Sequence, residues 1–389
     1  MIRRHIEPEL HRLLTEYPVV SLLGPRQAGK TTLARQALPD YAYVNLEQPD
    51  VRQLAMDDPR AFLARHQPPV ILDEIQRVPE LLSYIQAEVD ARPGNGRYVL
   101  TGSHQLSLRE ALSQSLAGRT ALLYLLPFSI AELRNADIVL PRMEDYLYQG
   151  FLPRIYDQQQ RPTPAWSNYY QTYVERDVRQ LINLKDALIF EKFLRLLAGR
   201  SGQLMNISSL AGDVGVSIPS IQHWLSILEA SFVLFRLPPY FENFGKRVIK
   251  SPKYYFTDVG LLCFLLGIET PEQVARDPLV GHIFDNLVVM EVVKTLHNSG
   301  KQANLFFYRD SNGLEADLLL PKGRDLIPVE IKASTTYRPE LLKGLTRVAA
   351  LSSRMKTPTL VYAGDSLTFS NGVRALRFDA LAALYEQAG

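Results

Sequence analysis

The sequence predicts an α/β chain of several domains, and three observations predict it. Residues 1–135 alternate short, continuously apolar runs with helical segments, the pattern of a parallel sheet covered on both faces. Residues 206–256 carry two short helical stretches parted by Gly215 and followed by two strand-like runs. At 389 residues, with 46% hydrophobic and 22% charged content, the chain is long enough for two to four units that each bury a core. No period of 20–50 residues recurs, so the units differ from one another.

The first unit, residues 1–135, places strands at Val19–Leu23, Tyr43–Leu46, Val70–Leu72, Tyr98–Leu100 and Ala121–Leu125. Residues 136–205 turn helical and amphipathic, as in WSNYYQTYVERDVRQLINL, and read as a helical lid. In residues 206–256, Ile207–Val214 forms one helix, Gly215 breaks it, and Ser217 with Pro219 caps a second that ends near Ser231. A hairpin after such a pair is the wing of a winged helix. Residues 257–389 return to α/β, with a long helix from His282 to His297 and strands Leu314–Leu320 and Leu326–Ala333 joined through residues 321–324.

Composition excludes several classes. The single cysteine, Cys263, rules out an intrachain disulfide and a thiolate zinc site, and points to a reducing, cytoplasmic setting. The opening MIRRHIEPELHRLL lacks a secretory apolar core, and no run approaches the ~18 apolar residues a membrane span needs. The 43 Lys+Arg nearly cancel the 41 Asp+Glu, so the chain wears no general basic coat, and any nucleic-acid contact must be local.

Gly24-Pro25-Arg26-Gln27-Ala28-Gly29-Lys30-Thr31, followed by Thr32, fits G-x4-G-K-[ST] between a strand and a helix. Backbone N–H groups of such a loop wrap phosphates, Lys30 reaches the β/γ oxygens, and the Thr31 hydroxyl takes Mg²⁺. Val70-Ile71-Leu72-Asp73-Glu74 ends a buried strand in two acids, with Asp73 for Mg²⁺ and Glu74 to polarise an attacking water. The strand Tyr98–Leu100 is expected between these two motifs in space, with Ser103 near the γ-phosphate. That extra strand marks the P-loop branch whose acidic base follows the magnesium Asp. The expected cofactors are therefore ATP and Mg²⁺. Arg119 is the candidate trans-acting cation of an oligomer, with Arg176 behind it.

Asp317, Glu330 and Lys332 stand as D-x12-E-x-K on two adjacent strands, where alternation puts Glu330 and Lys332 on one face. Two carboxylates and a lysine in this order can hold Mg²⁺ or Mn²⁺ and orient a water toward a phosphodiester. Asp285 and Glu291 interrupt the apolar surface of the preceding helix, and one of them is the candidate fourth acid. Arg236, Lys246, Arg247, Lys250 and Lys253 gather against one acid, Glu242, among aromatics that suit packing better than base stacking. Lys246, Arg247, Lys250 and Lys253 are the candidate DNA contacts. The second helix of the pair offers Gln222 and His223 but no Arg or Lys, so it favours backbone or shape recognition over base readout.

The segments 24–33, Leu72-Asp73-Glu74-Ile75-Gln76, Leu100-Thr101-Gly102-Ser103 and Leu116-Ala117-Gly118-Arg119 resemble prokaryotic AAA-type ATPases. Tyr255-Phe256-Thr257-Asp258-Val259-Gly260-Leu261, Glu315-Ala316-Asp317 and Pro328-Val329-Glu330-Ile331-Lys332 resemble the domain of unknown function 4143 that follows the ATPase in that family. The resemblance covers nearly the whole chain. It implies an AAA-type P-loop core and a PD-(D/E)XK-like terminus similar to Holliday-junction resolvases and restriction endonucleases. The chain departs from the pattern in offering Asp285 where similar sequences offer Glu. The expected function is an ATP-driven protein acting on duplex or branched DNA as a homo-oligomer, six by analogy, with no membrane association. A non-cleaving DNA-binding ATPase and an ATP-dependent switch for a protein partner are the rivals.

Overall fold

The computed structural model describes residues 2–103, 115–182, 186–241, 249–369 and 373–385. Its first sheet comprises β1 (Val19–Leu23), β2 (Ala42–Asn45), β3 (Val70–Asp73), β4 (Tyr98–Gly102) and β5 (Thr120–Tyr124), all parallel, in the order β2-β3-β4-β1-β5. Every residue of β1, β3 and β4 is buried, which is why their sequences run apolar without alternation. Parallel strands align their C-terminal ends. The loop after β1, the acids ending β3 and the turn after β4 therefore meet at one rim, with β4 between β1 and β3 as the sequence predicts.

Short helices follow at Ile130–Arg134, Met143–Gln149, Pro153–Asp157 and Pro162–Tyr169. The next stretch departs from the expected α-helix: Tyr170–Val178 winds as a nine-residue π-helix before α geometry returns at Arg179–Ile182. Its wider turn buries Tyr170, Tyr173, Val174 and Val178, while Arg176 and Asp177 meet the rim of the first sheet. π geometry of this kind concentrates at functional sites.

The helix pair forms as expected. Ile207–Val214 ends on Gly215 in the left-handed region at φ 91°, and Ser217 caps Ile218–Ala230 by accepting from the Ser220 N–H. β6 (Leu234–Leu237) and β7 (Lys253–Phe256) then pair antiparallel. The long helix of the last unit spans Val280–Asn298.

The second large sheet adds β8 (Phe306–Arg309), β9 (Glu315–Lys322), β10 (Asp325–Lys332), β11 (Thr359–Tyr362), β12 (Leu367–Thr368) and β13 (Arg374–Arg377), in the order β12-β13-β11-β10-β9-β8. Pro321 and Lys322, expected in a loop, continue β9, because Asp325 pairs with Lys322 across a tight turn through Gly323 at φ 62°.

The last sheet has a buried cluster of its own, with Tyr308, Leu319, Leu345 and Leu360, but elsewhere the cores are joined. One face of the first sheet packs with Ile6, Leu10 and Leu33 in a local cluster. The other face, through Val19, Leu23 and Leu72, joins a continuous buried cluster that runs by Trp166 and Phe193 to Val288 and Val329. Long apolar helices with no wet face, such as Val280–Asn298, can be buried only by being shared between neighbours.

The junction also explains the Tyr255–Leu261 motif. Asp258 caps the helix Val259–Leu265 through the Gly260 N–H at 2.9 Å and accepts from the Phe151 N–H at 3.0 Å. Gly260 packs so closely on the Trp166 indole that any Cβ there would collide with it. Burial pushes the Asp258 carboxyl up to about 6 from 3.8, despite Lys294 and the two N–H donors. An acid raised in the fold stabilises fully below its unfolded value, and that contribution is lost as pH rises through the folded one. At about 1.4 kcal/mol per pH unit the loss amounts to roughly 2–3 kcal/mol. Asp258→Asn is therefore expected to melt near wild type at pH 4 and to gain on it progressively up to pH 7. A melting difference that stays flat over this range would refute the raised carboxyl.

Candidate functional site

Between the rim of the first sheet and the helical segment lies a cavity of about 770 Å³ lined by Arg26, Gln27, Gly29, Lys30, Thr31, Thr32 and Glu74 from one side. Arg154, Thr172, Tyr173 and Arg176 line it from the other. The loop conformation is built by glycine: Gly24 sits at φ 155°, where a Cβ would overlap the Leu125 carbonyl oxygen, and Gly29 at φ 92° opens the helix Lys30–Ala37. Pro25 and Ala28 are buried in this turn. Lys30 is also buried, and its ammonium folds onto the Gly24 and Pro25 carbonyl oxygens at 2.9 and 2.8 Å. Burial lowers its pKa to about 8, although Glu74 and Asp73 pull it back up.

Thr31 Oγ1 donates to the Asp73 carboxylate at 3.0–3.1 Å, so the two oxygen ligands expected for Mg²⁺ already face each other. Thr101 and Tyr43 donate to Asp73 as well, the latter at 2.7 Å. This donor set fits a hard divalent ion bound with a triphosphate. When bound, the ion would neutralise charge on the β/γ oxygens. Glu74 occupies the left-handed region at φ 60°, a costly conformation for glutamate that turns its side chain into the cavity. Its carboxylate accepts from Gln76 Nε2 and from Ser103 Oγ at 3.4 Å. The arrangement can cradle a triphosphate and hold a carboxylate base beside it.

Residues with no sequence signal complete the site. Arg26 pairs with Asp177 of the π segment at 2.6 Å. Behind the loop, the buried Arg4 guanidinium donates to the Ala28 carbonyl and the Leu126 carbonyl, both at 2.7 Å, and pairs with buried Glu132 at 3.0 Å. Only the general rule that buried charges are paired could have hinted at Arg4. Arg176, the second-choice trans cation, lines this chain's own cavity. Arg119 lies where β5 begins, at the opposite end of the strands, with its fork on Asp90 at 2.6 and 2.9 Å.

At the other end of the chain, Asp317, Glu330 and Lys332 come together as expected: Lys332 Nζ lies 2.7 Å from Glu330 and 3.6 Å from Asp317. Asp285 belongs to this cluster, its carboxyl pushed well up by burial and by Asp317. Glu291 does not. It pairs with Lys294 at 2.9 Å and accepts from the Ile130 N–H at 2.8 Å, because its face of the helix meets the loop after β5. Lys253, expected to meet DNA, is 4% exposed and turns inward to Glu315 at 2.7 Å. Lys250 is exposed, and Lys246 and Arg247 lie outside the described residues. Among the described residues, no three His, Cys, Asp or Glu side chains are grouped to hold a metal ion. The Mg²⁺ or Mn²⁺ expected here thus meets a donor set already engaged by ammonium groups, and the residues do not fit it. No described helix is long and apolar enough to cross a membrane.

Fold and site together define a P-loop ATPase of the AAA type. An AAA domain model matches residues 16–134, a domain of unknown function (DUF8612) residues 140–272, and a second (DUF4143) residues 280–381. The chain belongs to the family that joins an N-terminal AAA domain to a C-terminal DUF4143 domain. Uncharacterized proteins of Mycobacterium tuberculosis and Mycobacterium bovis are each 30% identical over 367 residues, covering 93% of this chain and 80% of theirs. An uncharacterized protein of Haemophilus influenzae is 26% identical over 214 residues, 51% of this chain and 52% of its own. Among solved structures, a Walker-type ATPase of Pyrococcus abyssi is similar at TM-score 0.41 and 16% identity, covering 67% of this chain and 94% of that one.

Proposed function

We propose that this ATPase couples ATP hydrolysis to DNA binding, with residues 206–256 acting as a winged helix and the C-terminal α/β unit gripping without cutting. The observation that carries the proposal is the helix pair itself: Ile218–Ala230, capped by Ser217, turns Gln222, His223 and Ser226 outward beside a hairpin whose Arg236 is exposed. With Glu229 also exposed, this face offers one acid and no base, which suits recognition of backbone and shape better than base readout. Oligomerisation with nucleotide between protomers belongs to the same reading, and Arg119 would then have to leave Asp90 to reach a neighbour's phosphate.

The test is binding to junction, fork, duplex and single-stranded DNA at two salt concentrations, with ATP turnover measured in parallel. Salt-sensitive binding and faster turnover with DNA are expected. If neither occurs, the DNA reading fails and the second reading stands: an ATP-dependent switch acting on a protein. The inward turn of Lys253 and the lack of Arg or Lys on the outward helix favour that alternative.

A further inference from the structure

Glu315, Asp317 and Glu330 of the C-terminal cluster arrive on two strands of one sheet and Asp285 on the long helix, but the cluster's most buried cation comes from elsewhere. Lys253 opens β7, and β7 belongs to the hairpin after the helix pair. Its backbone is fixed on both sides, by pairing with Leu237 and by a bridge to Leu204. Its side chain crosses the Phe307 ring with Nζ 5.1 Å from the centroid. The ammonium ends 2.7 Å from Glu315 Oε1 and 4.0 Å from Asp317 Oδ1.

Three of the four carboxylates there already have a cationic neighbour. Glu315 turns its other oxygen to Arg309 at 2.8 Å. Asp317 Oδ2 accepts from the Ile331 N–H at 2.9 Å and faces Lys332 at 3.6 Å. Glu330 holds Lys332 at 2.7 Å. Asp285, on the long helix, is the fourth acid of the cluster; His282 lies 3.9 Å from it, but burial and then Lys253 lower the imidazole's pKa, so it brings no charge near neutrality. A divalent ion seeking two or three of these oxygens would have to sit against an ammonium that cannot back away, since its stem is enclosed by protein.

We infer that Lys253 is the resident cation of this carboxylate set, standing where a divalent ion would otherwise bind and keeping such ions out. The inference deepens the non-cleaving reading above and rests on it, yet its test involves neither DNA nor ATP. It also gives the hairpin lysine a purpose: it ties the unit proposed to meet DNA to the last sheet by charge.

The experiment titrates Mn²⁺ into nucleotide-free, full-length protein and follows bound ion by electron paramagnetic resonance. Wild type and Asp317→Asn are expected to give the same isotherm, because no ion binds at this cluster. Lys253→Met is expected to gain one site, about tenfold or more tighter than any in wild type, and the added Asp317→Asn substitution should abolish it. A wild-type site removed by Asp317→Asn alone would overturn the inference. So would a folded Lys253→Met protein that gains nothing. If Lys253→Met does not fold, the comparison of wild type with Asp317→Asn still decides. Failure of DNA to bind would leave these isotherms unchanged, so the two ideas fall separately.

Discussion

Glu74→Gln is expected to slow ATP turnover by about 10²–10⁴-fold while leaving nucleotide affinity within a few-fold of wild type. The phosphate-binding parts stay intact: the Gly24–Thr31 loop, Lys30 on its carbonyls and Thr31 against Asp73 make no hydrogen bond to Glu74, whose charge acts on Lys30 only at a distance. The substitution keeps the size of the side chain and still offers an oxygen to Gln76 and Ser103. It loses the negative charge that would draw a proton from an attacking water. Phosphate release and a fluorescent-nucleotide titration measure the two halves. Turnover within about twofold of wild type would remove Glu74 from the chemistry, since a base contributes far more than that.

Arg4→Met should cost about 3–5 kcal/mol of stability, because it strands Glu132 as a buried, uncompensated charge. Burial pushes the Glu132 carboxyl upward, but the Arg4 charge, with N–H donors from Ser129 and His5, outweighs this and holds it below its usual 4.5. An acid lowered in the fold contributes fully above its unfolded value and loses that contribution as pH falls. The melting gap between wild type and Arg4→Met should therefore be widest near neutrality and narrow below about pH 4.5. Adding Glu132→Gln should restore part of the loss, since removing both charges is milder than removing one. ATP affinity should fall with the single variant, because the Ala28 carbonyl loses its donor. A single variant that melts with wild type would show the pair to be idle.

What the sequence disclosed and what it withheld follow from how each site is assembled. The phosphate loop is written consecutively because backbone N–H groups do the binding, so Gly24, Gly29, Lys30 and Thr31 must be neighbours in the chain. Strand alternation likewise brought Glu330 and Lys332 together. Arg4, Tyr43 and Asp177 reach the ATP site from remote segments, and no local spacing announces them. Lys253 sits in a basic, aromatic stretch that reads as surface, and only the position of β9 reveals an acid waiting inside. For Glu291, helical periodicity gave the face but not the element packed against it. The π segment has the composition of an ordinary amphipathic helix, so nothing marked it in advance.

The loop after β5 carries a consequence for dissecting the molecule. Lys294 donates to the Phe128 carbonyl at 2.8 Å, Glu291 accepts from the Ile130 N–H at 2.8 Å, and Glu132 holds Arg4 beneath the phosphate loop. The stretch from 16 to 134 that looks like a self-contained AAA module therefore lacks Arg4 on one side and the Glu291–Lys294 pair on the other. Excised, it would keep every residue of the phosphate loop and lose the framework that shapes it. Modularity in this chain is a property of its sequence likenesses, and its mechanical unit is the whole.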